Sequence, residues 1–134
     1  MFRTLCRIIV IVLALVSIAA CATGKPNVGS QIAANKQGLP KLTVGMTKAQ
    51  VLNTMTEIDI KTNEGVAKNP FAREVVTGRD GAKYEVLYYV TKFPPPYTPI
   101  GKFLTTPVIL KGGKYVGQGW DTLEKIEPPK KKKK

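Results

Sequence analysis

Apolar residues are spread unevenly along the chain. Ile8 to Ala20 is a 13-residue apolar run broken only by Ser17, with Arg3 and Arg7 ahead of it. A membrane-spanning helix needs about 20 apolar residues, and even extended to Thr23 this run reaches only 16. A short apolar run behind a positive start is the layout of a secretory signal peptide, over residues 1–20. Beyond it the chain turns small and polar. Residues 21–39 contain Gly24, Pro26, Gly29 and Gly38 and read as a tether. A flexible segment of that length spans on the order of 25 Å root-mean-square. Ser30 to Gln37 offers a short helix, with Ser30 as N-cap and Gly38 as terminator.

The next pattern is helical. Thr47-Lys48-Ala49-Gln50 matches a capping box, in which hydroxyl and amide satisfy each other's backbone N–H. Val51, Leu52 and Met55 then form one apolar stripe over about three turns. Past Pro70 the period changes to two. Arg73 to Thr77 reads as a strand, Gly78-Arg79-Asp80-Gly81 as a hairpin turn, and Tyr84 to Thr91 as the best strand of the chain. Apolar residues occur on both of that strand's faces, which predicts a central position. Pro94, Pro95, Pro96 and Pro99 make Phe93 to Leu104 a loop of polyproline character. Thr106 to Leu110 resumes as strand, Gly112-Gly113 turns, Tyr115 to Trp120 pairs back, and Asp121 to Ile126 closes with a helical turn.

The sum is an α+β fold. One or two short N-terminal helices pack on a three- to four-stranded antiparallel meander, a two-layer sandwich over residues 40–127. Residues 128–134 are a Pro-Pro-polylysine tail. A domain of this size buries roughly 60–65% of its unfolded surface, so partner binding or dimerisation is expected.

Composition narrows the chemistry. The chain has no His and only two Cys, Cys6 and Cys21. His-based nucleophile relays and Cys/His zinc sites are thereby excluded. The acidic residues come with no third ligand, and Gly117-Gln118-Gly119 lacks the rest of a phosphate-binding loop. The sequence therefore offers no catalytic residue, no cofactor site and no metal site, and no enzyme activity is expected. The formal charge is +12. Without residues 1–20 the basic count falls from 21 to 19 against 9 acidic residues, and Lys130, Lys131, Lys132, Lys133 and Lys134 carry five of those positives. The basic character thus sits mostly in the tail.

Ile18-Ala19-Ala20-Cys21 resembles the bacterial lipobox: an aliphatic residue, two small residues and a Cys. That resemblance implies diacylation of the Cys21 thiol, cleavage just before it and acylation of the new amine. Ala22 stands where an Asp would mark inner-membrane retention, so the implied destination is the outer membrane, with the domain facing the periplasm. Export excludes nucleic acid as partner.

Leu42-Thr43-Val44-Gly45-Met46-Thr47-Lys48-Ala49-Gln50-Val51 resembles the opening helix of small lipoproteins with the BamE-like (SmpA/OmlA) fold, whose pattern is Leu-x-x-Gly-Met-Thr-Lys-x-x-Val. Asn69-Pro70-Phe71, Tyr84 to Tyr89, Thr106 to Leu110 and Gly117-Gln118-Gly119-Trp120 are similar to a little-characterised branch of that fold. The resemblance implies an outer-membrane lipoprotein with a noncatalytic interaction or structural role and an envelope protein as partner. Among the aromatics, Tyr97 and Phe103 are expected to be exposed and to serve interaction, and Tyr84 and Tyr88 to be buried. The lysine run offers a second role, as a tether to peptidoglycan or anionic lipid. Lys134 at its end resembles the C-terminal Lys of lipoproteins joined to peptidoglycan.

Overall fold

A computed structural model describes residues 27–62 and 65–129. Helix α1 (Val28–Gly38) begins at Asn27, whose side-chain oxygen accepts the Ser30 N–H at 2.9 Å while Ser30 Oγ accepts the Asn27 N–H at 2.9 Å. Ser30 is thus the third helical residue rather than the cap, and the helix starts a turn earlier than expected. A 3₁₀ turn at Leu39–Lys41 follows. Helix α2 (Lys48–Met55) is two turns long and starts at Thr47, with both bonds of the expected capping box present. Gly45, at φ +95°, allows the turn into it.

Two short strands come next, β1 (Ile60–Thr62) and β2 (Gly65–Ala67), paired antiparallel as a separate hairpin. The main sheet is β3 (Ala72–Thr77), β4 (Lys83–Val90), β5 (Thr105–Lys111) and β6 (Lys114–Gln118), antiparallel in chain order. The α+β meander and the central place of β4 agree with the sequence reading. Helix α3 (Trp120–Ile126) follows, so Trp120 opens a helix instead of ending a strand. The break comes at Gly119, at φ +93°. Among the described residues no helix is long and apolar enough to cross a membrane.

Strand alternation sends the β4 side chains to two cores. Leu87 and Tyr89 join Val108, Leu110 and Tyr115 beneath Val51 and Met55 of α2. Tyr84, Val86 and Tyr88 join Ile109 on the opposite face, where Leu123 of α3 covers them. The helix-on-sheet layer expected from the sequence therefore has a short second cover. Each such buried side chain contributes about 1.5–3 kcal/mol.

α1 seats at the end of β4. Ile32 packs with Val90 and Leu104, and Asn35 Nδ2 donates to the Val90 carbonyl at 2.9 Å. Asn35 and Asn69 exchange amide bonds at 3.0 and 3.1 Å, and Asn69 Nδ2 also reaches the Thr56 carbonyl at 2.8 Å. Gly38 lies against α2, where an added Cβ would stand 2.9 Å from Met55 Sδ and 3.1 Å from the Thr54 carbonyl. Residues 28–39 therefore belong to the packed domain and not to a tether. The edge of β6 is closed by the chain before α2: Gly45 N–H donates to the Tyr115 carbonyl, and Tyr115 N–H to that of Met46.

Candidate functional site

The loop leaving β4 crosses one end of the sheet before returning through a 3₁₀ turn at Lys102–Leu104 to β5. Its prolines offer no N–H to a neighbouring strand, and their fixed φ makes the crossing stiff. A turn closes within it, with Thr98 N–H donating to the Pro95 carbonyl at 3.1 Å. Facing this loop stand the β1–β2 hairpin and the first residue of α1. Gln31 holds the hairpin to α1, its Nε2 donating to the carbonyls of Ile58 and Ala67 at 3.1 and 3.3 Å.

Between these walls lies an open groove of about 1050 Å³. It is lined by Val28, residues 65–68, Phe71 and residues 93–100, and among the described residues Lys68 is the only charged side chain in the lining. Phe93 is 67% exposed, Val66 56% exposed, and Tyr97 stands fully in solvent. Tyr97 also has φ +61°. A non-glycine residue there bears about 1–2 kcal/mol of steric cost.

The two aromatics singled out from the sequence are both exposed, as expected, and Tyr84 and Tyr88 are buried. They do not share one site. Tyr97 lines the groove; Phe103 does not, although it sits on the same connection and is 58% exposed. Beside it Lys102 Nζ bonds Glu74 at 2.6 Å and lies 4.7 Å from the centroid of the Tyr88 ring. Cys21 and Lys130 to Lys134 lie outside the described residues. The sequence reading missed the hairpin wall. Gly65 ahead of Val66-Ala67 was its one local signal, and three-residue strands carry too little alternation to register.

The titratable groups gather elsewhere. At the turn between β3 and β4, Asp80 accepts from Lys111 Nζ and from the Tyr84 hydroxyl, each at 2.8 Å, and from the Ala82 N–H at 3.0 Å. The Lys111 bond leads in holding its carboxyl down to about 2, with Tyr84 and Ala82 adding to it. Burial, then the Glu74 carboxylate that its hydroxyl donates to, raises the Tyr88 phenol. Burial alone pushes Tyr89 up to about 12. These phenols stay protonated at neutral pH; Tyr88 hydrogen-bonds through its hydroxyl, and Tyr89, whose buried hydroxyl has no hydrogen-bond partner among the described residues, acts by packing. Among the described residues no three His, Cys, Asp or Glu side chains converge to hold a metal ion.

The described lining of the groove is apolar, aromatic-rimmed and nearly uncharged. No protein-family model matches this chain, and neither a curated protein nor a solved structure shows similarity to it.

Proposed function

We propose that the chain is a noncatalytic lipoprotein of the bacterial outer membrane, anchored through acylated Cys21, whose domain serves as an interaction or structural module in assembly or maintenance of the envelope. The observation that carries this reading is Ile18-Ala19-Ala20-Cys21 behind an apolar run too short to span a bilayer. Two or three acyl chains give stable anchoring where one gives only marginal binding. The surface chemistry supports it: an apolar groove at one end of the sheet, with Tyr97 and Phe103 exposed on the loop beside it. The resemblance of residues 42–51 to the BamE-like opening helix points the same way.

The test is Cys21→Ser in the producing bacterium. The unchanged chain should float with outer membranes and yield an N-terminal peptide bearing acyl mass. The variant should appear in the soluble fraction. Membrane flotation of the variant at wild-type level would overturn the anchor. The run Lys130 to Lys134 favours a second reading, in which the tail holds peptidoglycan or an anionic lipid surface.

A further inference from the structure

The groove begins where the anchor ends. Val28 both opens α1 and lines the groove. Seven residue steps separate it from Cys21. Fully extended, they reach about 25 Å, less than the roughly 30 Å width of a small domain. Packing of residues 28–39 into the domain makes this leash short. An acylated Cys21 therefore keeps the groove end of the molecule close to the bilayer that holds the lipid.

The features of that end suit a lipid interface. Tyr97 and Phe93 project from a loop stiffened by Pro94 to Pro96, and Val66 faces them from the hairpin. Tyrosine is favoured at the headgroup level, where its ring meets hydrocarbon and its hydroxyl meets water. A stiff loop presents these side chains with little ordering cost. Tyr97 keeps a left-handed backbone while its side chain packs on nothing. Folding gains nothing from that arrangement, and strain of this kind collects at contact sites. Charge agrees as well. Among the described residues the lining holds one Lys and no carboxylate, and exposed Lys92 precedes Phe93. A phosphate-bearing headgroup layer attracts both cations, whose stems can lie along apolar surface.

We infer that the rim formed by Val66, Phe93 and Tyr97 seats in the interface of the lipid bilayer that carries the anchor, fixing the orientation of the domain on the membrane. This rests on the lipid-anchor reading.

The experiment uses the full chain, purified from bacterial membranes and reconstituted into phosphatidylcholine vesicles brominated on their acyl chains. Tyr97→Trp and Phe93→Trp report at the rim. Val75→Trp, exposed on β3, reports away from it, and the unchanged chain supplies the Trp120 background. Mass of the N-terminal peptide reads acylation in each sample. With Cys21 acylated, the two rim reporters should be quenched several-fold more than Val75→Trp, with blue-shifted emission. Acylated protein whose rim reporters are quenched no more than Val75→Trp overturns the seating and leaves the anchor standing. The groove would then be open for a protein segment. An unacylated Cys21 overturns the anchor and the seating together. Agreement between the two rim reporters guards against one variant misfolding.

Discussion

Thr47 and Asn27 start their helices with the same reciprocal bond, and only the first was recognisable from spacing. A hydroxyl followed three residues on by Gln is a familiar pair. In Asn27…Ser30 both partners are residues that cap in their own right, and the bond between them decides which one does. Removing the Thr47 oxygen should cost about 1 kcal/mol. A shift of the urea midpoint for Thr47→Ala in the full chain measures it, and an unchanged midpoint would deny the cap. Thr56 is the complementary case. It ends α2 at φ +56° with its side chain exposed, where a glycine would avoid the clash of Cβ with backbone. Thr56→Gly should raise stability by about 0.5–1 kcal/mol, read from the same melts. Its carbonyl still accepts from Asn69, so that bond is not lost. Asp80 shows how a surface carboxylate contributes to acid stability. Its folded pKa of about 2 lies below its ordinary 3.8. The stability it adds is present above pH 3.8 and is lost as the pH falls through 2. Asp80→Asn should flatten the acid limb of a melting-temperature profile in that window and leave its shape at neutral pH unchanged.

Elements were legible where their signals are local. The β3–β4 and β5–β6 hairpins declare themselves through Asp80-Gly81 and Gly112-Gly113 between alternating runs, and the sheet order then follows the chain. Helix α1 was legible only in part, as a short helix from Ser30 to Gln37, for a physical reason. Its buried face holds Gln31 and Asn35 beside Ile32, so hydrophobic periodicity undercounts it. The acceptors to which those amide nitrogens donate lie 27 to 55 residues away, in Ile58, Ala67, Asn69 and Val90. For the same reason half of the groove was visible in the sequence, as the proline loop, and half was not. Its other wall is set by Gln31 holding a hairpin of two three-residue strands. The Asn35–Asn69 pair should therefore be a point of high sensitivity. Asn35→Ala strips the Val90 carbonyl and the Asn69 side chain of a buried donor. Leaving such groups unpaired costs about 1–3 kcal/mol each, so a loss of about 3 kcal/mol is expected in urea melts. Asn35→Ala combined with Asn69→Ala should cost clearly less than the sum of the two, because each already breaks the bond they share. Additive losses would show that the two amides act separately.

At the scale of the whole molecule, charge and packing divide the chain between them. The described domain pairs several of its cations: Lys48 with Glu85 at 2.5 Å, Lys111 with Asp80 at 2.8 Å, and Arg73 with Glu57. Such half-exposed pairs contribute little to stability, about 0–1 kcal/mol each. The run Lys130 to Lys134 has five like charges in succession and no carboxylate among them. Pro128-Pro129 stands between α3 and this run and stops the helix from continuing. Cohesion of the domain and adhesion of the tail should then be separable. A chain ending at Pro129 should melt at the same temperature as the full chain. It should bind purified peptidoglycan or anionic vesicles more weakly at low salt, because each Lys near an anionic surface contributes about 1 kcal/mol. The difference should vanish at high salt, since the Debye length falls from about 10 Å at 0.1 M to about 3 Å at 1 M. A lowered melting temperature would mean that the lysines pack on the domain. Equal binding at low salt would remove the tether role and leave attachment to the lipid on Cys21 and the seating of the groove rim.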